Sequence, residues 1–244
     1  MAKLLVKTLN ISANPSGAAA AARQGNVVMI VDLIDMSTTA ESALEAGAIE
    51  VMGASPDQNN NEVPVSVNPE KIGYIAGKKA LKNKTGVIVA AEPRLITGEE
   101  EESRLDSIQY VLKGIERSGA VMEKIVANLG KDVCKMADFE NKILVVVSAA
   151  GGTAYDAAYN YGAAEVITGT IARTNKMSGN KPAKLAAERA VKAAKRHKSG
   201  ITIVASSSNS MEDMLAAEYI CKEILNTGFL KLNPDNTKKN AKTI

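Results

Sequence analysis

The sequence predicts an α/β fold in which buried parallel strands alternate with helices, and an internal duplication is the main evidence for it. The stretches VMIVDLIDMSTTAESALEAGAIEVMGAS at 28–55 and ILVVVSAAGGTAYDAAYNYGAAEVITGT at 143–170 align without a gap at an offset of 115 residues, with seven identical positions. Each opens with a continuous apolar, β-branched run, which is typical of a strand buried on both faces of a parallel sheet. A helical pattern and a short second strand follow, so the repeated unit is strand, turn, helix, strand.

The helix of each unit is expected to begin at a capping box, in which a hydroxyl residue precedes an acid by three positions, and to end at a glycine. These residues are Thr38, Glu41 and Gly47 in the first unit and Thr153, Asp156 and Gly162 in the second. The second strands are predicted at 49–52 and 165–168.

A third, partial copy of the unit follows Gly200. It predicts a strand over 201–205 and a helix over 211–225 that begins at the capping pair Ser210 and Asp213. Apolar periodicity predicts the remaining elements. They are strands at 4–11 and 86–91, helices at 69–81, 121–128 and 181–198, and helical spacing of Leu105, Ile108, Leu112 and Ile115.

Length and composition indicate one globular domain. The chain has 244 residues, 45% of them hydrophobic and 23% charged, which excludes wholesale disorder and a disulfide miniprotein. We expect the domain to span 1–232 and the lysine-rich residues 233–244 to form a flexible basic tail. Aromatic residues make up 3% of the chain and the net charge is +3, so nucleic-acid binding through stacked bases is not expected.

The sequence also bounds the cellular setting and the available chemistry. The N-terminus does not resemble a signal peptide, and the apolar run at 27–31 is far shorter than the roughly 20 residues that span a bilayer. We therefore expect a cytoplasmic protein without a membrane partner, and the apolar helices are compatible with a homo-oligomer. A structural zinc site or a histidine-based catalytic relay is not expected, because Cys134, Cys221 and His197 are the only cysteines and the only histidine.

Candidate functional residues follow the predicted strands, at the edge where α/β sheets bind ligands. The turns in question are 32–39, 148–153 and 206–213. Asp32 ends a buried strand, where an acid has no packing role and needs a partner. Oxygen ligands without histidine suit a hard cation such as Mg²⁺, for which Asp32, Glu212 and Asp213 are the candidate ligands.

A phosphate ester suits such a site, because Mg²⁺ polarises phosphoryl oxygens and lowers the pKa of bound water. Amides near Thr38 and Thr153 could hold the remaining oxygens. Simpler alternatives stay open at this point. In these alternatives Thr38, Thr153 and Asp213 serve as helix caps and bind no ligand, and Asp32 accepts hydrogen bonds from the backbone. Asp35 is either a further metal ligand or a solvated turn residue. Glu92 and Arg94, which flank Pro93 after a predicted strand, either bind phosphate or metal or form a surface ion pair.

The run DLIDMSTTAESALEAGA at 32–48 resembles a motif of the 2-phosphosulfolactate phosphatase family, magnesium-dependent enzymes of coenzyme M biosynthesis. That motif is an Asp-Val-Phe-Arg-Ala-Thr-Thr-Thr turn followed by an Ala-Leu-x-x-Gly-Ala helix. Further along, AEPR at 91–94 resembles the family's Gly-Glu-Arg strand end, Gly152-Thr153 its Asn-Gly-Thr-Arg turn, and SMEDMLAA at 210–217 its Ser-Leu-Glu-Asp-x-Leu-Ala-Ala segment. The resemblance covers roughly 27–217 and implies a three-layer α/β/α fold with a mixed, mainly parallel sheet.

The resemblance implies hydrolysis of a small phosphomonoester, 2-phosphosulfolactate or a related metabolite, with Mg²⁺ as cofactor. It assigns catalysis to Asp32 and Glu212 and the metal to Asp32, Glu212 and Asp213. The implied substrate-binding residues are Thr38, Arg94, Gly152 and Thr153.

Three positions depart from the family pattern. The family has arginine, asparagine and arginine where this chain has Asp35, Gly151 and Ala154. Arginine binds dianions through paired charge-assisted hydrogen bonds, so we expect an altered substrate. The alternative is a catalytically altered or inactive member that binds a small metabolite. An unrelated nucleotide-binding domain is disfavoured, because the chain lacks GxGxxG and Walker motifs.

Overall fold

Strands and helices alternate along the chain. A computed structural model describes residues 7–34, 36–58, 64–92 and 98–231. The strands are β1 (Leu9–Ala13), β2 (Val27–Val31), β3 (Glu50–Ala54), β4 (Val87–Ala91), β5 (Met122–Ala127), β6 (Ile143–Val147), β7 (Glu165–Thr168) and β8 (Ile201–Ala205). The helices are α1 (Asn14–Arg23), α2 (Met36–Glu45), α3 (Pro69–Lys82), α4 (Gly98–Asp106), α5 (Gln109–Ser118), α6 (Gly151–Asn160), α7 (Lys181–His197) and α8 (Met211–Asn226).

The strands form two four-stranded sheets in which the pairings are all parallel. The first sheet has the order β1-β8-β2-β7 and the second β3-β6-β4-β5. The predicted α/β fold is confirmed, and the helices between the strands are consistent with three layers. The division into two wholly parallel sheets differs from the mixed sheet expected, because helical crossovers return the chain in the same direction before each new strand.

The elements of the two sequence repeats coincide at the offset of 115 residues. Helices α2 (36–45) and α6 (151–160) begin and end at equivalent positions. Each unit passes from one sheet to the other: β2 lies in the first sheet and β3 at the edge of the second, while β6 lies in the second and β7 at the edge of the first. The two units therefore exchange their second strands between the sheets.

Two contacts between hydroxyl groups are related by the same offset of 115 residues. The Thr38 Oγ1 atom lies 3.2 Å from Thr170 Oγ1, and Ser55 Oγ lies 3.0 Å from Thr153 Oγ1. Thr38 is equivalent to Thr153, and Ser55 to Thr170, at the same offset. The same contact is thus made twice, once by the helix of each unit with the strand end of the other.

The core is built on the central strands. Strands β2, β4, β6 and β8 are buried along their whole length. They carry apolar side chains on both faces, as expected for parallel strands covered by helices on both sides. Helix α7, which packs on β2 and β8, brings small residues to the first sheet, such as the buried Ala183, Ala186 and Ala190.

Residues 121–128 are a strand, so the predicted helix there is wrong. They form β5, which pairs with β4 at the edge of the second sheet. Glu123 and Lys124 are exposed on this edge strand. Charges at that position suit an edge, which they protect from further pairing, and they also produce the polar spacing that resembled a helix.

The two predicted capping boxes are also wrong. Because α2 begins at Met36 and α6 at Gly151, Thr38 and Thr153 are the third residues of their helices. The Thr38 hydroxyl donates backwards to the carbonyl oxygen of Leu33 at 2.7 Å. Glu41 instead forms an ion pair with Arg189.

Other predicted boundaries are confirmed. Ser210 caps α8 by accepting from the Asp213 amide at 3.2 Å. Gly47 and Gly162 follow their helices with φ of +99° and +81°, a conformation that favours glycine. The predicted elements at 69–81, 86–91, 181–198 and 201–205 correspond to α3, β4, α7 and β8.

At the two ends of the chain the comparison is partial. The opening strand predicted at 4–11 corresponds to β1 at 9–13, and residues 1–6 lie outside the described residues, as does the predicted tail at 233–244. In the part of the chain that the structure describes, no helix is long and apolar enough to cross a membrane.

Candidate functional site

The carboxyl ends of strands from both sheets meet at one group of polar residues. Each of these residues follows a strand directly: Asp32 after β2, Glu92 after β4, Asn128 after β5, Ser148 after β6 and Ser206 after β8. They are connected by the contacts described below. The candidate site is therefore at the sheet edge that the sequence predicted, and its residues overlap the predicted set in part, with Asp32 common to both.

Asp32 lies at the centre of the site. Its side chain is 3% exposed, and Oδ2 accepts from the Gly151 amide at 2.9 Å and from the Ser148 hydroxyl at 3.3 Å. The Met36 amide also donates to this carboxylate. One carboxylate thus accepts from the first residues of both α2 and α6, where the helix dipoles favour a negative charge.

Burial raises the pKa of Asp32 to about 6, and the negative charge of Asp213 acts in the same direction. The hydrogen bonds from Met36, Gly151 and Ser148 act against this and favour the ionised form. The resulting pKa lies close to neutrality, which is the range suited to proton transfer in catalysis.

Glu92 brings a second carboxylate to the site from the other sheet. Its pKa is raised by burial and by the negative charge of Asp32, and lowered by hydrogen bonds from Asn128 and from the Ala149 amide. The Asn128 amide nitrogen donates to Glu92 Oε1 at 3.2 Å. Asn128 is fully buried and in turn accepts from the Thr39 hydroxyl at 2.5 Å, so α2 fixes the residue that holds Glu92.

The turn between β6 and α6 directs its amides at acceptors within the protein. Ala149 donates to Glu92 and Gly151 to Asp32. Gly152 donates to the Ser148 hydroxyl at 2.9 Å, and Thr153 to the Ser148 carbonyl at 3.3 Å. The phosphate-binding role predicted for Gly152 and Thr153 therefore competes with bonds that these amides already make.

Thr38 likewise makes its contacts within the protein. Its hydroxyl group contacts Leu33 and Thr170, and the residue is 7% exposed. Ser37, beside it, accepts from the Asp32 amide at 2.9 Å and donates to the Ile30 carbonyl at 3.2 Å. The side chains of the first turn of α2 thus stabilise the carboxyl end of β2, which Asp32 follows. They do not face a ligand site.

Asp213 and Glu212 differ sharply although they are neighbours. Asp213 is 3% exposed, and its two oxygens accept from the Leu33 amide and the Ser206 hydroxyl, both at 2.8 Å. Glu212 is half-buried and makes no hydrogen bond or ion pair with any residue that the structure describes. Asp213 therefore fixes the turn after β2, whereas no contact with a described residue connects Glu212 to the site.

The predicted magnesium ligands do not form one cluster. Within 7–34, 36–58, 64–92 and 98–231, no group of three or more His, Cys, Asp and Glu residues could hold a metal ion. The predicted set of Asp32, Glu212 and Asp213 is therefore not brought together, and magnesium binding stays a prediction.

Two positions that depart from the family pattern, Gly151 and Ala154, and the matching Gly152 have defined structural settings. A Cβ atom on Gly151 would lie 2.3 Å from Asp32 Oδ2, and one on Gly152 would lie 2.0 Å from the Ala54 carbonyl oxygen. Both glycines therefore allow a close approach. Ala154 is fully buried, while Arg94 and Asp35 lie outside the described residues.

Sequence reasoning placed Ser148 and Ser206 in candidate turns without giving either a role, and it missed Asn128. The signal available for all three was their position directly after a strand. For Asn128 that signal was hidden, because residues 121–128 were interpreted as a helix.

When the chain is compared with known proteins, no protein-family model matches it, and the curated proteins contain no significant match. The resemblance to the 2-phosphosulfolactate phosphatase family therefore remains a prediction from the motifs.

Proposed function

We propose that the chain hydrolyses a small phosphomonoester with Mg²⁺, at the sheet edge shared by Asp32 and Glu92. The observation that supports this most is a pair of carboxylates brought by different sheets, the buried Asp32 and the half-buried Glu92, close enough for the Asp32 charge to raise the pKa of Glu92. Such a pair carries a desolvation and repulsion cost that a divalent cation relieves.

The donor set of the site fits magnesium. Mg²⁺ is usually held by one or two carboxylates, with water and phosphate oxygens as its other ligands. Asp32 and Glu92 would hold it, in place of the predicted Glu212 and Asp213. When bound, the ion would polarise the phosphoryl oxygens and offset the repulsion between the phosphate and the two carboxylates.

The turn amides favour a cation at this site over direct binding of phosphate. An anion binds at a helix N-terminus through unpaired amides, but those of Ala149, Gly151 and Gly152 already donate to internal acceptors. Two carboxylates occupy the position that a phosphate would need. A phosphate would therefore approach this edge through a cation rather than through the amides.

Asp32 is also proposed to position the attacking water. Its pKa of about 6 applies before a cation binds, and Mg²⁺ would lower it further, so the carboxylate would be ionised at neutral pH. It would then accept a hydrogen bond from the water that attacks phosphorus as the P–O bond to the leaving alcohol breaks. Gly151 and Ser148 hold Oδ2, so the orientation of the carboxylate is fixed before substrate binds.

A second candidate is a relative that binds a small metabolite without hydrolysing it. Ala154 favours this alternative, because it is fully buried and brings no charge where the resemblance expects an arginine. The same assay distinguishes the two functions.

The test is phosphate release from a panel of small phosphomonoesters that includes 2-phosphosulfolactate, with Mg²⁺ and with a chelator. We expect Mg²⁺-dependent release that falls by at least about 100-fold in Asp32→Asn and in Glu92→Gln. Glu212→Gln distinguishes the two ligand sets, and Asp106→Asn, an exposed acid, serves as the matched control.

Three outcomes decide between the candidates. Unchanged release in folded Asp32→Asn would refute the site. A loss in Glu212→Gln with full activity in Glu92→Gln would restore the ligand set predicted from the sequence. If no ester is hydrolysed and calorimetry still detects Mg²⁺ or an ester bound by the wild type, the binding function is favoured.

A further inference from the structure

The outer face of α8 carries a row of exposed apolar side chains. Met211, Leu215, Tyr219 and Leu225 are between 38% and 69% exposed. The opposite face of the helix, which includes Ile220, is buried against the first sheet and α7. Single exposed apolar residues are ordinary in a folded protein, whereas a row of them on one helix marks an interaction surface.

The spacing along this face is that of a coiled-coil seam. Met211, Leu215, Glu218, Lys222 and Leu225 follow one another at alternating intervals of four and three residues, and all five are exposed. Such intervals place side chains on one line along a helix, where they pack between the side chains of a second helix. Because these residues are exposed, no described part of the chain supplies that second helix.

The seam is complementary to itself when a second copy of α8 runs antiparallel to it. In an antiparallel pair related by a two-fold axis, residues at equal distances before and after the axis lie opposite each other. With the axis at the level of Ile220, Leu215 and Leu225 lie five residues to either side, and Glu218 and Lys222 lie two residues to either side. Leucine therefore meets leucine, and the acid meets the base, twice across the axis.

The two charges distinguish this arrangement from its alternatives. A parallel pair of helices would place Glu218 against Glu218 and Lys222 against Lys222, and like charges repel. Neither side chain forms an ion pair with a described residue of its own chain, so both charges are available to a partner. An unrelated partner would impose no symmetry on α8, so the symmetric order of these residues favours a second copy of the chain.

We propose that the chain forms a two-fold symmetric homodimer in which α8 packs antiparallel against α8 of a second copy. Leu215 packs against Leu225 of the second copy, and Glu218 pairs with its Lys222. A shift of the pairing by one heptad would place both charges opposite apolar side chains, so the charged pair fixes the register. The interface is independent of the proposed phosphatase function.

The first test is sedimentation equilibrium of the full chain at concentrations from about 1 to about 200 µM. One helix pair makes a small interface, so we expect a dissociation constant on the order of 10 µM. The mass at the upper concentrations should then approach twice that of one chain. A chain that stays monomeric at about 200 µM would overturn the proposal.

A second test places a charge in the apolar contact. Leu215→Lys puts a cation opposite Leu225 of the second copy and should weaken dimerisation at least about 100-fold. Leu81→Lys is the matched control, because Leu81 is exposed to a similar degree on α3, which packs on the second sheet. Dimerisation that is unchanged in folded Leu215→Lys would refute the interface.

Charge reversal tests the antiparallel register. Glu218→Lys opposes Lys222 of the second copy, and Lys222→Glu opposes its Glu218, so each change should weaken dimerisation at least about tenfold. The combined variant brings opposite charges together again in the same register and should dimerise within about threefold of the wild type. A combined variant that dimerises as weakly as the single variants would refute the proposal, because a dimer through another face predicts no recovery.

Discussion

Asp156 offers the sharpest test of the electrostatic reasoning. This carboxylate lies fully buried on α6, and its two oxygens accept from the Asn68 amide at 2.7 Å and the Ser55 amide at 3.3 Å. Burial raises its pKa to about 7 from an ordinary value of 3.8. The two hydrogen bonds and the charge of Lys71 oppose the shift without cancelling it.

The sign of the pH dependence follows from proton binding. Between pH 4 and 7 the folded state keeps a proton on Asp156 that the unfolded chain has released. The stability contributed by this group is therefore present at low pH and lost as the pH rises through 7. Roughly three pH units at about 1.4 kcal/mol each give a total of about 4 kcal/mol.

The perturbation is Asp156→Asn, which is neutral at every pH and keeps one acceptor oxygen. The assay is urea unfolding at pH values from 4 to 8, with Asp106→Asn as an exposed control. The free energy of unfolding of Asp156→Asn minus that of the wild type should rise by roughly 4 kcal/mol over this range. A difference that stays constant with pH would refute the reasoning, because Asp156 would then titrate alike in both states.

Three further substitutions test the packing of the site. Gly151→Ala puts a Cβ 2.3 Å from Asp32 Oδ2, so the carboxylate must turn away; we expect a changed Asp32 titration by carbon-detected NMR and a loss of any phosphate release. Gly152→Ala meets the carbonyl oxygen that ends β3 at 2.0 Å, and because backbone yields less than a side chain, thermal unfolding should show a cost of about 1–3 kcal/mol. Thr39→Val removes the donor to buried Asn128 and should cost about 1–3 kcal/mol in urea unfolding, whereas Thr39→Ser should retain most of the stability.

The repeated unit was predictable because its signals are local. The apolar runs at 27–31 and 143–147 and the glycines at 47 and 162 determine strands and helix ends without reference to the rest of the chain. Strand pairing is not local. The residues of 165–168 do not determine whether this strand pairs with β2 or with β6. The exchange of strands between the sheets could therefore not be derived from one sequence.

The site was predictable only in part for a similar reason. Asp32 was found because an acid that ends a buried strand needs a partner. Helical spacing alone does not determine which of the adjacent acids Glu212 and Asp213 turns inward, and the structure shows that Asp213 does so to bind the turn after β2. Thr39 and Asn128 meet across a long sequence separation, which no local pattern reveals.

The strand exchange has a consequence for how the chain acquires its structure. Neither sheet can be completed from one half of the sequence: β2 needs β7, β3 needs β6, and β1 pairs with β8 so that Leu9 lies opposite Ile201. Such distant pairings raise the contact order. A high contact order slows folding, because the entropy of closing long loops is lost before the favourable contacts form. During synthesis, β1, β2 and β3 leave the ribosome well before their partners β6, β7 and β8. Their pairing edges therefore stay exposed until the second half of the chain has been made.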